Sequence, residues 1–227
     1  MKIFSSFFLS LFIANLSATT LQEGYVIPKE TLSPSGCYGF VVPVLDIYSD
    51  TNNLSDSLVF TKTGKVIAVI DALPGFDRRV NHIKIAAPWW SKDESLVLWK
   101  VEGKRSPWAL VLIHLKHGTQ AWQLNLLTAF QKEILARTKA IAPEKYEAVK
   151  KKNAGDGAVF PDGFTVDVEP VVKSDSDQQP WLKLPLEVHV TLTSNPKQLE
   201  NVLTLNSEMD GVIKQEGVIE IKNFKLL

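Results

Sequence analysis

From residue 38 to residue 115 the sequence alternates between short apolar runs and turn residues. The runs are rich in Val, Ile, Leu and aromatic residues, and Gly, Pro, Asn and Asp separate them. They lie at 38–42, 44–48, 57–60, 65–70, 80–85, 95–101 and 108–113. Runs of this length and composition predict strands, so this part of the chain is predicted to be an all-β unit.

The hydrophobic period changes after Gly118. Large apolar residues recur there at helical spacing, and Thr119 is a suitable residue to cap a helix that starts at this point. They are Trp122, Leu126, Leu127, Phe130, Ile134 and Leu135. Pro143 ends this run and is predicted to open a second helix that extends to Lys152. We expect the apolar stripe to face the core, because the β regions on either side need to be covered.

The last part of the chain returns to a strand pattern. Alternating segments lie at 164–168, 186–192, 202–205 and 217–221. Asp162-Gly163 and Asp210-Gly211 are predicted turns between them. Strict alternation of apolar and polar residues is typical of an antiparallel sheet with one face in solvent.

These patterns predict a mainly β fold, α+β overall. We divide the chain into a signal peptide (1–18), a linker (19–37), a β domain (38–116), a helical connector (117–153) and a C-terminal antiparallel β domain (154–227). The alternative is a single α+β domain in which the helix packs across one continuous sheet. Limited proteolysis would distinguish the two, because only the first requires residues 34–116 to fold alone.

The first 18 residues have the layout of a secretory signal. Lys2 precedes an apolar stretch at 3–14, and the small residues Ser17 and Ala18 provide a cleavage site. The apolar stretch is too short to span a bilayer comfortably, although an uncleaved N-terminal anchor is the alternative. We therefore expect a secreted or periplasmic protein without a membrane span after cleavage.

Charge and cysteine content narrow the class of protein further. Lys and Arg number 25, as do Asp and Glu, so no net field would attract nucleic acid. The single cysteine, Cys37, excludes a disulfide framework and any site with several thiolates. A buried, inert thiol is the preferred interpretation of Cys37, and an intermolecular disulfide is the alternative. So few cysteines in an exported chain favour a bacterial envelope protein.

The catalytic and metal motifs in the sequence are all incomplete. Lys62-Thr63-Gly64 matches a motif of penicillin-recognising serine enzymes, but the only Ser-x-x-Lys, 194–197, follows it in the chain instead of preceding it. His114 and His117 have no neighbouring acid to complete a metal site. The loop at 175–180 begins like a calcium loop but lacks its glycine and its final acid. We predict no catalytic residue, no metal ligand and no cofactor.

An aromatic and basic segment provides the candidate binding site. Trp89 and Trp90 are adjacent, so in an extended segment one of the two rings would be exposed. Together with Phe76, Arg78 and Arg79 they would suit a ligand that has a carboxylate and some apolar surface, such as a peptide end. The alternative is that both tryptophans pack onto the sheet and the arginines pair with nearby acids.

Several short motifs resemble those of the bacterial SH3-like (SH3b) domains. Leu45-Asp46-Ile47-Tyr48 stands where that family has its first strand, and Gly64 follows at the matching spacing before a hydrophobic strand. Trp99-Lys100-Val101, Gly103-Lys104-Arg105 and Trp108 resemble the family's closing pair of strands. The resemblance covers residues 40–111.

The sequence also departs from the SH3b pattern. Tyr48 replaces the usual Arg, Thr51 the usual Pro and Pro107 the Gly before the last Trp, and an insertion near 71–95 separates the halves. The resemblance implies a small SH3-like barrel over 38–116 that binds cell-wall peptides or protein partners, without a cofactor. We therefore expect an exported, non-catalytic binding or scaffolding protein of the bacterial envelope. The alternative is a secreted or periplasmic hydrolase with carboxylate-based chemistry and no readable motif.

Overall fold

A computed structural model describes residues 24–43, 55–70, 86–101, 107, 109–153, 161–174, 180–194 and 204–227. Within these ranges the chain forms three antiparallel four-stranded sheets and two α-helices. The prediction of a mainly β, α+β fold is confirmed. No helix in this part of the chain is both long and apolar enough to cross a membrane.

The first sheet is a meander whose strands follow one another in chain order. Its strands are β1 (Tyr25–Val26), β2 (Tyr38–Pro43), β3 (Asp56–Phe60) and β4 (Lys65–Ile70). The predicted linker, 19–37, thus contains β1, which pairs with the end of β2. A 3-10 turn follows β1, and its buried Thr31 donates a hydrogen bond to the carbonyl oxygen of Phe40 (3.1 Å).

The second sheet lies at the centre of the molecule. Its strands are β5 (Trp89–Trp90), β6 (Leu96–Val101), β7 (Ala109–Lys116) and β8 (Thr119–Asn125). Successive side chains of a strand point to opposite faces, and here both faces are buried against other elements. The near-continuous apolar sequence of β6 and β7 follows from this double burial.

The structure corrects the predicted start of the first helix. Residues from Thr119 form β8, which pairs with β7 across a two-residue turn. His117 and Gly118 in that turn have φ angles of 52° and 72°, the left-handed pair that closes a tight hairpin. The helix begins only at Leu126, after Asn125 accepts a hydrogen bond from the backbone N–H of Thr128 (3.3 Å).

The two helices connect the central sheet to the third sheet. They are α1 (Leu126–Ile141) and α2 (Pro143–Asn153), and Pro143 opens α2 as predicted. Leu126, Leu127, Phe130 and Ile134 of the predicted stripe are buried, so this part of the stripe faces the core as predicted. Leu135 is only partly buried, and Trp122 lies in β8 instead of the helix.

The third sheet is antiparallel and contains the last four strands. They are β9 (Phe164–Pro170), β10 (Leu186–Ser194), β11 (Ser207–Ile213) and β12 (Ile219–Leu226), and they lie side by side in the order β12-β11-β10-β9. The predicted turn at Asp210-Gly211 is wrong, because both residues lie within β11, where the pairing with β12 has a bulge. A side chain at Gly211 would meet the buried ring of Phe130, since an added Cβ would lie 2.5 Å from its Cε1.

Two hydrophobic clusters fill the space on opposite faces of the central sheet. One face contributes Val97, Trp99 and Ile113 to a cluster with the first sheet. The other contributes Leu96, Leu98 and other side chains to a larger cluster with the helices and the third sheet. The division into domains at 37/38, 116/117 and 153/154 stays a prediction.

Cys37 corrects another expectation. Its side chain is exposed and free instead of buried, because it lies in the short turn before β2, outside both clusters. The signal segment 1–18, the strands predicted at 44–48 and 80–85, and the site residues Phe76, Arg78 and Arg79 lie outside the described residues.

Candidate functional site

The segment Pro180–Leu184 extends the edge of the central sheet beside β5. The backbone N–H of Leu182 donates to the carbonyl oxygen of Trp90 (3.0 Å), and Leu182 forms a parallel bridge with Ser91. Trp181 in turn exchanges two backbone hydrogen bonds with Lys173 (2.8 and 3.0 Å). These contacts bring Trp181 and Trp90, which are far apart in sequence, to the same edge.

The turn between β5 and β6 is held by the carboxylate of Asp93. Its Oδ1 accepts hydrogen bonds from the hydroxyl of Ser91 (2.6 Å) and from the backbone N–H and hydroxyl of Ser95 (3.1 and 2.8 Å). The hydrogen bond from Ser91, assisted by those from Ser95, outweighs partial burial and lowers the pKa of Asp93. Asp93 is therefore a fixed anion that orders the turn.

The next residue of this turn, Glu94, fastens it to the segment before β2. Its carboxylate accepts hydrogen bonds from the backbone N–H and hydroxyl of Ser35 (2.5 and 2.7 Å) and from the hydroxyl of Ser33 (3.1 Å). Glu94 has a φ of 57°, a left-handed conformation that is uncommon for a residue with a side chain. Together, Asp93 and Glu94 keep this edge of the molecule in one arrangement.

An apolar cleft of about 370 Å³ opens between these segments. Its walls are formed mainly by tryptophan, proline and aliphatic side chains, with one acid and one base. They are Glu30, Leu32, Pro34, Ala87, Pro88, Trp90, Ser91, Lys92, Pro180 and Trp181. Lys92 places its Nζ 4.4 Å from the centroid of the Trp181 ring, a cation–π contact.

A second, more polar cleft of about 270 Å³ adjoins the first and shares Ser91, Lys92 and Trp181 with it. It lies where the turn between β5 and β6 meets Gln215 in the turn between β11 and β12. The remaining lining residues are Asp93, Ser95, Leu96, His114, Leu182, Lys183, Leu184 and Gln215. Ser91, Lys92 and Trp181 thus separate an apolar space from a polar one.

Three buried nitrogen atoms around the two clefts have no hydrogen-bond partner. They are Nε1 of Trp90, Nε1 of Trp181 and Nδ1 of His114. An indole N–H can only donate, so each of the two tryptophans has an unused donor. Buried polar groups are nearly always paired, so these three atoms are exceptions. Each of them is shielded from solvent, so none faces the open space of either cleft.

The structure separates the two adjacent tryptophans of the predicted site. Trp90 is 6% exposed, lies on the face of the central sheet toward the first sheet and stacks with Tyr38 at 5.9 Å. Trp89 is partly buried on the opposite face. Of the five predicted site residues only Trp90 lines a described cleft, while Phe76, Arg78 and Arg79 lie outside the described residues.

Trp181 and Lys92 are the cleft residues that sequence reasoning missed. Trp181 is the tryptophan most distant in sequence from the other five, and it follows a polar loop and a proline. Because Trp181 lies so far from Trp90 in sequence, the sequence does not indicate that the two residues share a site. The available signal was that a tryptophan directly after Pro180 is unusual for a solvated loop.

Two further constellations of titratable groups lie away from the clefts. On the outer face of the third sheet, Nδ1 of His189 lies 2.8 Å from Oδ1 of Asp210. Near α2, burial raises the pKa of Asp162, but hydrogen bonds from Lys150 (2.8 Å) and Tyr146 (2.6 Å) outweigh it and hold this pKa below its ordinary value. Among the described residues, no group of three or more His, Cys, Asp and Glu side chains could hold a metal ion.

Comparison with known proteins gave no relative for this chain. No protein-family model matches it, no curated protein matches it, and no solved structure matches it. The resemblance to SH3-like domains therefore stays a prediction. Its first quoted strand at 45–48 and its closing segment at 103–105 lie outside the described residues.

Proposed function

We propose that this chain is an exported, non-catalytic binding protein of the bacterial envelope that holds a short peptide in the cleft between Trp90 and Trp181. The observation that carries the proposal is an apolar cleft of about 370 Å³ whose wall brings Trp90 and Trp181 together with three prolines. A short peptide complements such a wall, because indole and proline rings pack against its apolar side chains.

The rigidity of the cleft supports a binding role. Asp93 and Glu94 accept six hydrogen bonds within the turn and from the segment before β2. Prolines and indoles form most of the remaining wall, and these side chains lose little conformational freedom when a ligand binds. A cleft that is already ordered loses less conformational entropy on binding, so the same contacts give a higher affinity.

The carboxylates at this edge favour binding over hydrolysis. Asp93 accepts hydrogen bonds from Ser91 and Ser95, and Glu94 accepts them from Ser33 and Ser35. A carboxylate that acts as a general acid or base needs a pKa near the working pH, whereas the pKa of Asp93 is lowered. Both acids therefore serve the local structure.

The proposal is tested with a library of N-acetylated pentapeptides that has random sequence and a free carboxyl terminus. We expect the immobilised protein to retain a defined subset of the library. Trp181→Ala should weaken binding of the retained peptides about 30-fold, because a central tryptophan anchor contributes about 2 kcal/mol. Retained peptides are identified by mass spectrometry and then titrated individually.

Phe224→Ala is the matched control, since Phe224 is also a partly buried aromatic residue but lines neither cleft. It should leave the affinity unchanged, and the melting temperatures of both variants show whether they remain folded. Retention of no peptide, or equal retention by Trp181→Ala, contradicts the proposal. Release of shortened peptides would establish the hydrolase alternative instead.

A further inference from the structure

The backbone of Glu94 is held in an unfavourable conformation. Its φ of 57° lies in the left-handed region, where the Cβ of a residue other than glycine is crowded. His117 and Asp162, the other two such residues in the described part of the chain, belong to residue types that are enriched in this region, whereas glutamate does not. A strained residue persists where its contacts determine its conformation, so the contacts of Glu94 are of interest.

Those contacts are made by the carboxylate of Glu94. Its Oε1 accepts a hydrogen bond from the backbone N–H of Ser35 (2.5 Å), and its Oε2 accepts hydrogen bonds from the hydroxyls of Ser35 (2.7 Å) and Ser33 (3.1 Å). Aspartate and asparagine tolerate a left-handed backbone better, but each is one methylene shorter. The length of the glutamate side chain is therefore used to reach the two serines.

The two serines belong to a wall of the apolar cleft. Leu32 and Pro34 line the cleft, and the serines alternate with them along the chain. Ser91 and Lys92, from the turn that contains Glu94, line the same cleft. Glu94 thus joins two of its walls.

The place of Pro34 in the wall depends on this contact. On one side of it, the backbone N–H of Ser33 donates to the carbonyl oxygen of Tyr38 (2.9 Å), which fixes that residue to β2. On the other side, Ser35 is held by its two hydrogen bonds to Glu94. Proline has no backbone N–H, so Pro34 has no donor of its own that could hold it.

The structure assigns to Glu94 the role of a positioning residue that holds Pro34 in the wall of the apolar cleft. The strained backbone at position 94 is the consequence of placing the carboxylate where it reaches Ser35. This inference rests on the proposed function, because it concerns the cleft that is proposed to hold the peptide.

Glu94→Gly separates a positioning role from a structural one. Glycine relieves the left-handed strain but removes the hydrogen bonds, so the melting temperature should change little. Binding of the pentapeptides retained from the library should nevertheless weaken about fivefold, because Pro34 is no longer fixed before the ligand binds. Glu94→Gln keeps the shape and an acceptor oxygen, and should restore most of the affinity. A merely structural residue would change the melting temperature and leave the affinity of the folded protein unchanged.

Cys37 provides a second measurement that needs no peptide. It is the only cysteine of the chain, its side chain is exposed, and its backbone N–H donates to the hydroxyl of Ser35 (3.1 Å). A nitroxide spin label on Cys37 should be more mobile in Glu94→Gly than in the unmodified protein, and nearly as immobile as in the unmodified protein in Glu94→Gln. His117→Gly is the matched control, since it relieves a similar φ of 52° at an exposed residue that lines neither cleft. It should change neither the mobility of the label nor the affinity.

The outcomes separate this inference from the proposed function. If Glu94→Gly binds the retained peptides as tightly as His117→Gly does, the positioning role is overturned and the peptide-binding function stands. The same conclusion follows if the spin label is equally mobile in both variants. If the unmodified protein retains no peptide, the proposed function fails, and the label alone then decides whether Glu94 fixes this wall.

Discussion

Replacing Trp99 by Ala should lower the free energy of unfolding by about 5 kcal/mol, a large part of the stability of an ordinary domain. Trp99 is 1% exposed and stacks on Phe40 with the ring centroids 4.1 Å apart. Its indole N–H also donates to Oδ2 of the buried Asp56 (2.8 Å). The change thus leaves a cavity between two sheets and removes a donor from a buried carboxylate. Urea unfolding followed by circular dichroism measures the loss.

A pair of Trp→Phe variants separates the hydrogen bond from the packing. Trp90 lies in the same hydrophobic cluster, but its N–H has no partner. Trp90→Phe therefore removes ring volume alone, whereas Trp99→Phe removes ring volume and the hydrogen bond to Asp56. We expect Trp99→Phe to be more destabilising by about 1–3 kcal/mol, the cost of leaving the buried Oδ2 of Asp56 without its donor. Equal losses in the two variants would show that the hydrogen bond contributes nothing to stability.

Phe130→Ala should cost about 3–5 kcal/mol, because Phe130 is fully buried where α1 packs against the third sheet. The converse change, Gly211→Ala, should cost about 1–3 kcal/mol by overpacking. An added Cβ at Gly211 would lie 2.5 Å from the ring of Phe130, so either the helix or the strand must move. Both losses are measured as shifts of the unfolding midpoint in urea at constant slope.

The double variant Phe130→Leu with Gly211→Ala tests whether the two positions share one space. A smaller side chain at 130 leaves room for the new methyl group, so the double variant should be more stable than the sum of its single changes predicts. If the changes in the free energy of unfolding simply add, Phe130 and Gly211 are not in direct contact. The cost of Gly211→Ala would then come from the bulge in β11.

The strands and the helix stripe show where local sequence is sufficient. β4, β9 and β10 begin at the residues where the alternation of apolar and β-branched positions begins. The apolar residues of α1 recur with the 3.6-residue period of a helix, and this period is enough to predict which face is buried. Pro143 indicates the start of α2, because the first turn of a helix does not need the backbone N–H that proline lacks. In each case the signal lies within the element itself.

The candidate site shows where local sequence is insufficient. Trp90 and Trp181 come together only because Leu182 pairs with the backbone of β5, and backbone pairing carries no residue-specific signal. For the adjacent pair Trp89-Trp90 the sequence leaves two alternatives, a ring in solvent or both rings packed onto the sheet, and the structure shows that both faces of the strand are covered. That covering depends on the first and third sheets, which are formed by distant parts of the chain.

The sequence by itself therefore determined the mainly β class, most strand positions, and the buried stripe of α1, because these follow from side-chain periodicity. Only the tertiary structure decided that Thr119 starts a strand, since the left-handed turn at His117 and Gly118 pairs it with β7. Only the tertiary structure explains why residue 211 is a glycine, and only the tertiary structure brings Trp90 and Trp181 to one cleft. Those outcomes depend on how closely separate elements approach, and spacing along the chain does not encode that distance.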